Sequence, residues 1–428
     1  MAEVYEIYVD SPQLVMKAGE LLVNRGQSPM ALPWFQFTYD QDYLADARAF
    51  ALSPDLPLLR DVFRDRAHDR EMLGAFADAM PDKWGRRLIE RRYAQTQLHD
   101  VDYLLNVPDF TRQGAIRIRQ ATSQEFLGAN FIYGGTDGLT AIHQSIQRFE
   151  SGTCSEADLE QLLLTGSQSN GGQFPKTALL DQDGDLCIAK FPGNSELASP
   201  HWEAVCLDMA RAAGIEVPQF EHHWLGDLSV LIEKRFDRIR SGTAAEKAAT
   251  AAAGTNQTGH DLSGNRLPYI SAESFMQLPS NPTFITPYAI FARQLQRQLG
   301  SRQAQLLFAR VAFLLMVNNT DDHWKNHGLL FEDGQWHLAP LFDINPTTRP
   351  DPYDLPQLTN HIENKRSLAT LLDDSASYAL SRKAAQQILE DTAEVVRNWR
   401  NFAQKYLRTE AEIEQQAASF QAACKLTF

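Results

Sequence analysis

The sequence predicts an α+β protein with a β-rich amino-terminal part, a mixed α/β middle and a mainly helical carboxy-terminal part. Three observations carry this reading. Short segments near the start alternate apolar and polar residues, as half-buried strands do; later apolar positions recur at helical spacing; and two strand–turn–strand patterns interrupt the helices. At 428 residues, 43% of them apolar, the chain can bury more than one core. The pattern divides it into 1–120, 121–240, an insertion at 241–265, and 266–428.

Taken in order, Val4 to Val9 and Phe35 to Tyr39 alternate like strands, and a helical pattern dominates from about Leu59 to Thr96. Gly114 to Ile118 closes the first part as a strand, and helical segments run from Gly138 to about Thr165. Gly166-Ser167-Gln168-Ser169-Asn170-Gly171-Gly172 is a small-residue loop leading into a strand at Lys176–Leu180, a turn at Asp181–Asp185 and a returning strand at Leu186–Phe191. Ser199 suits an N-cap and Pro200 the first helical position; Trp202, Val205, Met209 and Ala213 then share a face, and Gly214 stops the helix. Leu228, Val230 and Ile232 share one face of a strand that runs into Glu233-Lys234-Arg235-Phe236-Asp237-Arg238. Ser241 to Asn265, rich in Ala, Thr, Gly and Ser, reads as a mobile insertion. From Ala272 onward the chain is mostly helical, broken by the strands His327–Phe331 and Trp336–Pro340 around an Asp333-Gly334 turn.

Composition excludes several classes. Lys and Arg total 40 against 54 Asp and Glu, a net charge of −14, which opposes broad non-specific nucleic-acid binding. Runs of eighteen or more apolar residues are absent, and Met1 to Tyr5 lacks the basic-then-apolar pattern of a secretory signal. Cys154, Cys187, Cys206 and Cys424 have no paired spacing for zinc or a disulfide framework. The expectation is a cytoplasmic protein with reduced thiols and no membrane attachment.

The chemistry concentrates in Asn319-Thr320-Asp321-Asp322-His323-Trp324-Lys325-Asn326 and in Leu341-Phe342-Asp343. An Asp and an Asn five positions apart, followed by a second Asp, is the spacing of a phosphoryl-transfer loop and its magnesium ligands. Asp321 would handle the proton of the attacking hydroxyl, and Asn326 and Asp343 offer hard oxygen ligands to Mg²⁺. Two other readings stay open on spacing alone: a transition-metal cluster of Asp321, Asp322 and His323, with His327 four residues beyond His323 though Gly328 and the next strand oppose a helix there, and polar groups that merely cap helices. Ser167 to Gly172, with Gly171 and Gly172 at its end, could cradle phosphate through backbone N–H groups or be a simple turn. Lys190 shares a strand face with Leu186 and Ile188, as an anion-meeting lysine or a snorkelling one. Glu203, thirteen residues on, could pair with it, as in the lysine–glutamate pair that steadies nucleotide phosphates.

These blocks together resemble the HipA family, serine/threonine kinases that act as toxins of bacterial toxin–antitoxin pairs. The resemblance runs through Pro81-Asp82-Lys83-Trp84-Gly85-Arg86-Arg87, Gly114-Ala115-Ile116-Arg117, Pro175-Lys176, Ile188-Ala189-Lys190-Phe191-Pro192, Glu233–Arg238 and the two acidic blocks. It implies a HipA-like protein kinase fold using ATP and Mg²⁺, with Asp321 catalytic, Asn326 and Asp343 holding the metal, and Lys190 on the ATP phosphates. It also implies that Glu233 and Phe236 face adenine, and that a loop serine, Ser169 or else Ser167, is autophosphorylated to expel the loop. By the same resemblance the target is an aminoacyl-tRNA synthetase, whose phosphorylation inhibits translation and arrests growth, the route to persistence. The partner is a HipB-like helix-turn-helix antitoxin, with DNA contacted mainly through it. The long insertion and Phe342, where the family usually has Tyr, depart from the pattern. A non-catalytic nucleotide- or antitoxin-binding regulator and a small-molecule kinase are the alternative functions.

Overall fold

The computed structural model describes residues 2–24, 34–64, 72–94, 98–128, 136–167, 174–193, 199–239, 265–279, 285–348 and 367–425. The chain gathers into two units: Met1–Lys190 with Lys234–Ser280 and Leu330–Gly334, and Phe191–Glu233 with Asn281–Leu329 and Gln335–Phe428. The predicted insertion falls almost wholly outside the described residues.

The first unit contains an antiparallel sheet of β1 (Ala2–Asp10), β2 (Val15–Asn24), β3 (Trp34–Tyr39), β4 (Val62–Arg64) and β5 (Ile116–Gln120), in the order β4-β3-β2-β1-β5. Ile7, Val9, Leu21, Val23 and Phe37 are buried, as alternation predicts for β1 and β3, whereas in β5 Ile116, Arg117 and Ile118 are buried in succession. Two strands differ from the sequence reading. β2 is obscured because Lys17, Gly19 and Glu20 interrupt its apolar pattern; a Cβ at Gly19 would meet the Thr38 carbonyl at 2.3 Å, so only glycine fits there. β4 lies inside the stretch that reads as helical, and cross-strand pairing of Val62 with Thr38 and Phe63 with Phe37 overrides its local pattern. The helix Lys83–Tyr93 follows, burying Trp84, Leu88 and Ile89.

Helices Leu139–Glu150 and Glu156–Leu164 lead to the hairpin of β6 (Lys176–Leu180) and β7 (Leu186–Lys190). Cys187 and Ala189 are fully packed, whereas on the face that Lys190 shares with Leu186 and Ile188 only Leu186 is buried, so Lys190 stands on the more open side.

In the second unit Pro200–Ala212 is a helix with Pro200 in its first turn and Gly214 at φ +75° just past its end. Trp202, Val205 and Met209 are buried as predicted. The hairpin β8 (Phe220–Leu225) and β9 (Leu228–Lys234) follows. Ser229 to Glu233 are all buried, so β9 is covered on both faces instead of the one its alternation suggests. After the short strand β10 (Tyr269–Ser271) of the first unit, the chain is largely helical, with Tyr288–Leu299, Ser301–Met316, Arg382–Arg397 and Trp399–Tyr406 the longer helices. The interruption is β11 (Gly328–Glu332) and β12 (Gln335–Leu338), with Asp333 and Gly334 both at positive φ, the geometry an Asp-Gly hairpin turn requires. All four cysteines are free thiols, and no helix among the described residues is long and apolar enough to cross a membrane.

Candidate active site

The Asp321 loop begins where the Ser301–Met316 helix stops. Asn319 N–H donates to Leu314 O (2.9 Å) and Asn318 N–H to Leu315 O (3.3 Å), a Schellman end with Asn318 left-handed at φ +51°. Asparagine tolerates that region better than most residues, and here its Nδ2 also donates to the Thr347 carbonyl at 2.5 Å. The chain then alternates. Asp322, Trp324 and Asn326 are buried, while Asp321, His323 and Lys325 are half-buried.

The inward set holds the loop. Asp322 accepts a short hydrogen bond from Tyr288 Oη, and its other oxygen lies 2.8 Å from His327 Nε2. Trp324 packs edge-on against Tyr288 (5.2 Å) and Phe291 (5.5 Å). Asp322 therefore pairs with His327 and not with His323. Asn326 Nδ2 donates 3.0 Å to the Asp321 backbone carbonyl, which commits the amide nitrogen and leaves Oδ1 as the acceptor atom of the side chain. Asn326 is thus tied to the backbone of Asp321.

Asp343 is brought back by the hairpin. Ala339 N–H donates to Gly328 O (2.8 Å), closing the strand ends. Farther on, Thr347 N–H donates to Asn318 O (3.2 Å) and Asn319 bridges Pro346, while Leu341 N–H donates to Glu216 O (2.8 Å). The segment carrying Asp343 is therefore pinned to both flanks of the Asp321 loop. Asp343 itself is half-buried and left-handed, φ +58°.

Of the residues assigned to nucleotide, Lys190 and Phe236 lie in the first unit and Glu203 and Glu233 in the second. Glu203 and Glu233 are buried acids, 3% and 5% exposed. Burial pushes the Cys206 thiol well up, and the Glu203 charge adds to the shift. Gly171, Gly172 and Ser169 lie outside the described residues. Ser167 is fully buried, its hydroxyl 3.4 Å from that of Thr165.

Sequence reasoning missed several contributors. Lys176 stands directly opposite Lys190 in the β6–β7 register, a like-charge pair that costs stability unless anionic groups lie close. Its signal was present in the strand register. Tyr288, 34 residues away, braces Asp322 and no local pattern marks it, while His327, considered in the sequence only as a metal-ligand partner of His323, pairs with Asp322 instead.

The chain resembles known proteins. A family model for the HipA N-terminal domain matches residues 16–118, and one for the HipA-like C-terminal domain matches 168–399, more than half of the chain. The protein named "Putative kinase Y4mE" of Sinorhizobium fredii (strain NBRC 101917 / NGR234) is 27% identical over 222 residues, 49% of this chain and 48% of that one, so the match spans about half the length of that curated relative. A chain of the Shewanella oneidensis MR-1 HipA, HipB and operator DNA complex superimposes with a TM-score of 0.65 at 15% identity, covering 98% of this chain and 95% of that one. That likeness shows a shared fold.

Proposed function

Because the chain belongs to the HipA family, we propose that it is an ATP- and Mg²⁺-dependent serine/threonine protein kinase. The observation that carries this is the Asp321 loop, with Asn326 tied to the Asp321 carbonyl and the Asp343 segment pinned beside both ends. Asp321, half-buried, would orient the acceptor hydroxyl and take up its proton. Asn326 Oδ1 and the Asp343 carboxylate form a hard-oxygen donor set that fits Mg²⁺, which when bound neutralises charge on the transferred phosphoryl group. Lys190 and Lys176, opposed across β6 and β7, would meet the ATP phosphates, and the Glu233–Phe236 run would border adenine.

Autophosphorylation of the glycine-rich loop belongs to the same reading. Ser167 is buried, which favours Ser169 as the acceptor. A phosphoserine adds a charge of roughly −1.5 to −2 where ATP phosphates belong, and repulsion would hold the modified loop away. An aminoacyl-tRNA synthetase is the proposed target, with inhibited translation as the outcome, and a HipB-like helix-turn-helix antitoxin the proposed partner.

The test is phosphoryl transfer from radiolabelled Mg-ATP by the wild type and Asp321→Ala, with phosphosites mapped by mass spectrometry. The wild type should label Ser169 and one lysate protein; the variant should lose roughly 10²- to 10⁴-fold in rate with its melting temperature unchanged. Undiminished labelling by Asp321→Ala would sink the assignment. Phosphate found on neither Ser169 nor Ser167 would remove the loop switch.

A further inference from the structure

The run Lys234-Arg235-Phe236-Asp237-Arg238 is held by far more buried charge than a segment bordering a nucleotide requires. Asp237 is 1% exposed and accepts from Arg235 Nε (2.7 Å), Arg235 Nη2 (2.5 Å), Arg238 Nη1 (2.9 Å) and the Gly114 backbone N–H (2.8 Å). The same arginines reach onward into the amino-terminal part. Arg235 Nη1 donates to Thr111 O (3.0 Å), and Arg238 Nη2 to Phe110 O (3.1 Å) and Arg112 O (2.7 Å). On the other side Lys234 Nζ lies 2.8 Å from Asp181 and 3.0 Å from Asp185, and Arg235 N–H donates to Leu186 O (2.9 Å).

Phe236, half-buried, is therefore fixed from both sides, and its ring leans on Tyr269 at 6.2 Å. Tyr269 is in turn backed by Gly114, where φ is +76° and a Cβ would approach the Tyr269 nitrogen to 3.2 Å. A shift of residues 110–114 cannot occur without breaking several charge-assisted hydrogen bonds or moving Phe236 with them. Neutral isosteres would have supplied packing alone; a buried network of this kind specifies one geometry.

We propose that Asp237, Arg235 and Arg238 are positioning residues for ATP, through which the Phe110–Gly114 segment of the amino-terminal part sets the nucleotide affinity of the kinase. This rests on the kinase reading above. It makes the amino-terminal part a support of the nucleotide site as well as a domain in its own right. Burial alone would raise the Asp237 carboxyl; the charges of Arg235 and Arg238 override it and hold it far below the usual carboxylate range, so the cluster is ionised at neutral pH.

The experiment uses the full chain and reads KM for ATP, kcat, and direct binding of a fluorescent ATP analogue. Arg238→Lys keeps the charge but loses the forked donation to Phe110 and Arg112. It should weaken ATP about tenfold, the equivalent of one charge-assisted hydrogen bond, with kcat within about threefold. Asp237→Asn should act the same way more strongly; if it fails to fold, Arg238→Lys decides. Arg148→Ala, which removes the distant Arg148–Asp158 pair, controls for destabilisation. Wild-type ATP affinity in Arg238→Lys, or a loss no greater than in a control of matched melting temperature, overturns the proposal while leaving the kinase reading intact. A wild type that binds no ATP overturns both.

Discussion

Asp343 occupies a backbone region that costs a non-glycine residue about 1–2 kcal/mol, and it does so at the position assigned to the metal. Such strain persists only when the surroundings impose it, here the pins at Ala339, Leu341 and Thr347. Asp343→Gly should therefore leave stability within about 1 kcal/mol of wild type, since relief of strain offsets glycine's extra chain entropy, while phosphoryl transfer is lost. Urea unfolding alongside the kinase assay checks this, and a large loss of stability would show that the Asp343 side chain supports the fold. The neighbouring pair Asp321 and Asp322 divides in the same way. Asp322 is the buried brace, and Asp322→Ala removes the carboxylate that Tyr288 and His327 share, leaving them only their 3.1 Å contact with each other, which should cost about 1–3 kcal/mol in the same unfolding measurement. Adjacent identical residues thus serve opposite ends, and only burial tells them apart. The spacing of Asp321, Asn326 and Asp343 was legible in the sequence because the chemistry proposed for them restricts residue type. The braces were not, because any donor or packing group of the right size could have filled the position of Tyr288.

At the scale of elements, the Pro200–Ala212 helix is joined to the β8–β9 hairpin through histidines. His201 Nδ1 lies 3.2 Å and His222 Nε2 2.9 Å from the hydroxyl of Ser229, with Trp224 stacked on His201 at 5.6 Å. Burial lowers both imidazoles, from 6.5 to about 4. Between those values the folded chain binds fewer protons than the unfolded one. The contribution to stability is complete above about pH 6.5 and is lost as pH falls towards 4. Denaturation midpoints at neutral pH and at steps down to about 4.5 should decline across this window, and more shallowly in the double variant His201→Gln/His222→Gln; an equal slope in both would show that these histidines do not carry the effect. The helix itself was plain in the sequence from its cap signals and apolar stripe. The burial of β9 on both faces was hidden, because Ser229 and Glu233 are polar residues that neighbours satisfy only in the folded chain. β4 and β2 were missed for a related reason: strand identity there comes from pairing with β3 and β1, and local pattern carries little of it.

For the whole molecule, net charge bears on the proposed division of labour between this chain and its antitoxin. With a net charge of −14 the chain has little surplus to neutralise phosphates. Alone, at physiological salt, it should not retard duplex DNA in a gel at micromolar concentration, whereas a complex with a basic helix-turn-helix partner should. Salt-dependent DNA binding by the isolated chain would contradict this. Family membership was readable from scattered blocks, since each needs particular residues for backbone or ionic reasons: Gly114 for a left-handed turn against Tyr269, Asp237 for four donors, Asp321 and Asn326 for the loop. The hairpin between Asn326 and Asp343 has a different status. Its strand ends are closed by the Ala339–Gly328 hydrogen bond, its tip at Asp333-Gly334 is exposed, and a Cβ at Gly334 would meet nothing within 4 Å. The distance along the chain from Asn326 to Asp343 is then no ruler for the chemistry. Evolution could lengthen or shorten the loop at its tip without disturbing either proposed ligand, so a search for distant kin keyed to a fixed interval would pass over members that differ only in the length of this spur.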